Sequence, residues 1–131
     1  MILTSIAVIL SATLLGGMVF FSFGFAPVLF AQLSMEQVRP LLRGTFPYYY
    51  LAVIGLAGLT AAVCWAVSVR ASLILLAIAL STIYARQILM HQINAATDRD
   101  DKAAFGRLHG LSVVIQLVQI GLAGWALLLL V

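Results

Sequence analysis

The residues with chemical capacity are few and unevenly placed. The chain has two histidines, His91 and His109, one cysteine, Cys64, and four acidic side chains, Glu36, Asp98, Asp100 and Asp101, none of them inside a long apolar run. His109, Ser112, Gln116 and Gln119 follow at spacings of three, four and three, and Tyr84, Gln87, His91 and Asn94 repeat that pattern. Such spacings put each set on one face of a helix. Two facing stripes would form a polar seam, with His91 and Asn94 near His109 and Ser112, and Gln87 deeper, towards Gln116. Amides, hydroxyls and imidazoles in such a seam can tie helices together or line a path for a small polar solute or a proton. The two histidines could also ligate haem iron from opposite sides, or join Met18, Met90 and Cys64 in holding a soft ion such as copper(I). No C-x-x-C-H or H-x-x-x-H motif, phosphate loop, carboxylate pair or nucleophile–base set accompanies them, so the sequence predicts no enzyme and no resident cofactor. Cys64 sits in an apolar run, where a thiol behaves as a small hydrophobe.

Arg86 stands apart. It falls about ten residues before the end of an apolar run, roughly 15 Å along a helix, with no acidic partner at that depth. Facing inward, it must use carbonyls, glutamines, water or an anion; facing outward, it must snorkel to the interface.

The elements that position these residues follow from composition. Of 131 residues, 64% are hydrophobic and 8% charged, and the mean hydropathy is +1.17. A soluble domain carries about 25% charged residues, and disorder requires low hydrophobicity; both are excluded. The solvent is a bilayer. Four apolar runs, at about 2–33, 46–69, 71–95 and 105–131, each suffice for a span of about 20 residues. The expected fold is therefore all-α: a single integral membrane domain, a four-helix transmembrane bundle in antiparallel up-down order. The first run is longer than one span needs and should bend near Gly16-Gly17, Gly24 or Pro27. No Lys or Arg precedes it, unlike a cleaved leader. The second and third spans should form a tight hairpin around Arg70.

The net charge of +3 does not point to nucleic acid, because the basic residues are scattered through short connections. It points instead to orientation. Arg39, Arg43, Arg99, Lys102 and Arg107 lie on one side and Arg70 on the other, which places the two longer connections in the cytoplasm and both termini outside, in a bacterial inner membrane. Tyr48, Tyr49 and Tyr50 should mark one interface, Trp65 and Trp125 the other. Met35–Arg43 reads as a short surface helix limited by Pro40 and Pro47, and Thr97 or Asp100 as the cap of the fourth helix. Gly106 and Gly110, with Gly16 and Gly17, are candidate points of close helix packing, within the chain or in a homo-oligomer. Ile54–Gly58 recurs as Ile120–Gly124, a coincidence of composition.

Two stretches carry a family resemblance. Gly16–Phe30 (GGMVFFSFGFAPVLF), and Phe105–Val114 (FGRLHGLSVV) followed by Gln116, resemble the family named for transmembrane protein 205, a four-span domain of unknown function, over nearly the whole chain. The resemblance implies an integral membrane protein. Its eukaryotic members are associated with resistance to platinum drugs, which implies export or handling of soft metal complexes by sulfur ligands. This chain has only Cys64 and no cysteine pair for a thiol relay. His109, Ser112, Arg86 and His91 are the positions to which the resemblance carries. The four-span pattern with membrane histidines is also similar in architecture to copper-resistance D proteins and small haem-binding protoporphyrinogen oxidases.

Overall fold

The computed structural model describes all 131 residues as four helices joined by short turns. They are α1 (Ile2–Gln32), α2 (Met35–Cys64), α3 (Val69–Asp98) and α4 (Lys102–Leu130), each long and apolar enough to cross a membrane. At 1.5 Å per residue, helices of about 30 residues reach about 45 Å, more than a hydrocarbon core of about 30 Å. The polar ends of α2, α3 and α4 therefore extend into the headgroup layers, and the chain is a multi-pass membrane bundle.

The turns explain where each helix starts. Before α2, the Ser34 main-chain N–H donates to Gln37 Oε1 at 3.2 Å, the returning half of a capping box. The α2–α3 turn ends at Ser68, whose hydroxyl accepts from the Ala71 amide, and Ser72 Oγ donates to the Ala61 carbonyl across the hairpin. α2 thus ends at Cys64, a few residues earlier than its apolar run, because the serines can satisfy helix-end groups that the apolar residues cannot.

The third turn corrects the sequence reading. Asp101, not Thr97 or Asp100, caps α4, accepting from the Ala104 amide at 3.1 Å. Thr97 bonds back to the Ile93 carbonyl. Asp100 takes a left-handed φ of 54°, and the Asp101 and Asp100 amides bond the Ala96 and Thr97 carbonyls. This is a Schellman closure with aspartate in the position glycine usually holds. The carboxyl of Asp101 is held below its ordinary 3.8 by the Ala104 amide and then by Arg99 and Arg107. A depressed folded value means that this stabilisation is present above 3.8 and disappears as pH falls through the folded value. Wild type should accordingly be more stable than Asp101→Asn by a constant margin above about pH 5, and the margin should close on further acidification. A margin that does not change in denaturation series on the acid side would remove the charge effect.

α2 also differs from expectation. It is helical from Met35 and runs through Pro40 and Pro47 without a break, so Met35–Arg43 is the first part of a long helix and not a separate surface segment. The carbonyls freed by these prolines are those of Glu36 and Arg43, both exposed near the polar end, where water can serve them. Arg43 then makes two bonds to Asp98, at 2.7 and 3.0 Å, which fasten α2 to the end of α3.

α1 departs from regular α-helical bonding next to Gly24 and Pro27, where a bend is expected, and stays regular at Gly16-Gly17. Residues Phe20–Phe25 form a π-helical turn; Pro27 has no N–H for the Phe23 carbonyl, and the wider turn accommodates that loss. Beyond the turn, no α1 residue is buried. The tight core consequently lies in the half of the bundle that holds the termini and the α2–α3 turn, around Leu14, Met18, Ala57, Leu75, Ile78 and Ala126. Its helix crossings are made by alanines. A Cβ added at Gly16, Gly17, Gly106 or Gly110 would meet nothing within 4 Å, so these glycines do not mark close packing within the chain. Alanine is small enough for those crossings and does not have glycine's entropic cost in a helix.

Candidate functional site

Polar side chains meet near the middle of the bundle, but in a different arrangement from a seam between α3 and α4 alone. Gln119, 4% exposed, donates from Nε2 to Ser81 Oγ at 2.7 Å and Thr82 Oγ1 at 3.0 Å. Both hydroxyls donate in turn to the Ile78 carbonyl. Three residues along α4, Gln116 Nε2 donates to Ser22 Oγ at 2.9 Å and to Tyr49 Oη. That single amide joins α4 to α1 and α2, leaving its own oxygen without a donor. Ser112, one turn further, is half-buried. The α4 stripe is therefore inward from Ser112 to Gln119, as its spacing predicts.

The α3 stripe is not. Tyr84, Gln87 and His91 are exposed and Asn94 is half-buried. The buried face of α3 is Leu75, Ile78, Thr82, Ala85, Leu89 and Ala96. Gln87 and His91 stand two residues beyond members of that series, about 200° around the helix. Small and aliphatic side chains permit a closer approach to α4 than the polar ones, and they take the contact face. His109, although on the α4 stripe, lies towards its polar end, is exposed and stacks on Phe105 with ring centroids 5.4 Å apart. No hydrogen bond or ring stacking links His91 with His109, and both are exposed. Cys64 is buried beside the α2–α3 turn, at the opposite end from both histidines, and Met18 is buried at mid-length of α1. The candidate ligands are not brought together, and nowhere do three or more His, Cys, Asp or Glu side chains gather in metal-binding geometry.

Ser22, Tyr49 and Ser81 are the partners that sequence reasoning missed. The tyrosine triplet misled: Tyr48 is 74% exposed, whereas Tyr50 is 8% exposed and the half-buried Tyr49 stacks on Phe21 at 3.9 Å. The useful signal was Ser22 as the one hydroxyl in the phenylalanine-rich run Phe20–Phe25. Trp65 and Trp125 are exposed, as interface markers should be.

Arg86 lies in a second π-helical turn, Ala85–Leu89. It is half-buried, and its Nε donates to the Pro47 carbonyl at 3.2 Å while Nη1 donates to Gln87 Oε1 at 2.7 Å. No carboxylate approaches it, since the ion pairs are Arg43–Asp98 and Arg99–Asp101. A guanidinium carries five N–H donors, so three remain free of protein partners beside α2, two residues from the Tyr49 that meets Gln116.

A family model described as a domain of unknown function (DUF4149) matches residues 9–102. The chain belongs to that family. The DUF4149 match runs through α1, α2, α3 and their connections and stops where α4 begins, so it covers Ser22, Tyr49, Ser81 and Arg86 but not Gln116 or Gln119. No curated protein and no solved structure matches the chain.

Proposed function

We propose that this DUF4149 protein binds a small polar or anionic solute near the middle of the membrane and lets it pass along the polar cluster. The observation that carries the reading is Arg86: a half-buried cation with no acidic partner and donors to spare at a depth where charge is costly and found where it serves binding or transport. π-Helical turns such as the one holding it frequently coincide with functional sites. Gln116, with an unused amide oxygen, supplies the complementary acceptor. No catalytic step is assigned. The resemblance to the family named for transmembrane protein 205 supports handling of a solute; the placement of Cys64 at the opposite end from the two exposed histidines favours a polar solute over a thiol-bound metal complex.

Reconstitution of the full chain into liposomes, with a panel of inorganic anions, small carboxylates and neutral polyols, tests this. Flux above empty liposomes is expected for at least one solute. Gln116→Leu should lower it by roughly two- to tenfold, the worth of one neutral hydrogen bond, and His109→Ala, whose ring is exposed away from the cluster, should leave it unchanged. Flux at the level of empty liposomes for every solute overturns the proposal. A second reading, an accessory subunit whose polar core only holds helices together, is favoured by the internally paired Gln119. It requires Gln116→Leu to change stability or partner recovery and no flux.

A further inference from the structure

We infer that the groove between α3 and α4, at the end bearing their connection, binds one anionic phospholipid, with its phosphate between Arg99 and Arg107. The groove has a volume of about 470 Å³ and is open at the surface of the bundle. Arg99, Arg107 and Gln92 provide its polar side, and Leu108 and Leu111 the apolar floor. It exists because the tight core is confined to the other half of the bundle, while Ala95 and Ala104 leave room between the two helices here.

Order along the helices fits the order of chemical groups in a phospholipid. Arg99 stands just past the end of α3 and Arg107 in the second turn of α4, at headgroup level. Leu111 lies one turn deeper than Arg107, about 6 Å by helical rise, and Gln92 lies about 10 Å deeper than Arg99. A phosphate at the arginines would place ester carbonyls near the Gln92 amide and an acyl chain over the leucines. Basic grooves between transmembrane helices select anionic headgroups in this way.

The neighbouring carboxylates leave the arginines available. Asp98 is held by both Nη atoms of Arg43. Asp101 is engaged by the Ala104 amide and meets Arg99 only at 3.4 Å. Arg107 has no carboxylate within ion-pair distance, and Asp100 is exposed on its turn and pairs with neither arginine. A free phosphate would use the arginines but not the leucines; the apolar floor commits the site to a lipid. This site is separate from the mid-membrane cluster and does not depend on its reading.

Purified full-length chain in a neutral detergent, titrated with dioctanoyl phosphatidylglycerol, dioctanoyl phosphatidylcholine or glycerol phosphate and read by thermal shift and native mass spectrometry, tests the site. Phosphatidylglycerol should bind and the other two should not. Arg99→Gln/Arg107→Gln should weaken binding by roughly thirtyfold, the effect of two arginines near an anionic surface. Arg99→Lys/Arg107→Lys should retain most of it, and Arg39→Gln all of it. Leu111→Trp, which fills the floor with both charges intact, should also abolish retention, so the proposal remains testable if the glutamine pair fails to fold. Equal binding of phosphatidylcholine, displacement of the lipid by equimolar glycerol phosphate, or full binding by either the glutamine pair or Leu111→Trp would overturn it.

Discussion

Replacing Gln119 with alanine is expected to destabilise the bundle by about 2–3 kcal/mol, and replacing it with leucine by about 1 kcal/mol or less. The difference separates two contributions from one side chain. Alanine removes the hydrogen bonds to Ser81 and Thr82 and also empties space at a position only 4% exposed. In a membrane the exposed alternative is lipid, as apolar as the core, so the lost packing and not a transfer to water sets the size of that loss. Leucine fills the space and forfeits only the bonds. Ser81 and Thr82 keep their donations to the Ile78 carbonyl, so neither hydroxyl proton is stranded, and interhelical bonds of this kind average about 0.6 kcal/mol in membrane proteins. Unfolding of the two variants in sodium dodecyl sulfate titrations checks the expectation. Equal losses for alanine and leucine would mean that the amide is held for its hydrogen bonds alone.

The same residues show how far the sequence could be read. Four spans were legible because the membrane needs only length and apolarity, and both are properties of runs and not of neighbours. The α4 stripe from Ser112 to Gln119 was legible because a regular helix preserves its spacing from end to end. On α3 the equivalent stripe failed because a three-four-three spacing identifies a face without saying which face packs. There Ala85, Leu89 and Ala96 took the contact, and Gln87 turned to Arg86 instead. Within the chain, Gly106 and Gly110 do not mark packing for a related reason: the motif permits close approach, but alanines elsewhere line the core. The pairing of Gln116 with Ser22 and Tyr49 spans 94 and 67 residues of sequence; no local periodicity encodes contacts so distant. Pro40 and Pro47 predict helix limits in water-soluble terms, yet at the watery end of a membrane helix the carbonyls they free have another partner.

Arg86 combines the functional and structural questions, and its replacement by methionine should separate them. Methionine matches the length of the aliphatic stem and removes the charge. Stability should stay within about 1 kcal/mol of wild type, because two effects oppose each other. A cation deep in the bilayer costs about 2.5–3.5 kcal/mol on insertion scales, while its bond to the Pro47 carbonyl returns about 1.5–3 kcal/mol. Solute binding, in contrast, should fall by roughly tenfold to a hundredfold, since a charge-assisted hydrogen bond to the solute would be lost with nothing to replace it. Arg86→Lys should fall between the two, keeping the charge but not the fork that reaches Pro47, Gln87 and a ligand together. Were the guanidinium only snorkelling, its bonds to Pro47 and Gln87 would be incidental, and methionine would leave flux and binding at wild-type values. Were it a structural tie of α3 to α2, methionine would unfold the bundle and lysine would partly rescue it. Only a variant that remains folded and loses its solute assigns Arg86 to binding, and flux through proteoliposomes beside a detergent unfolding curve distinguishes the three cases.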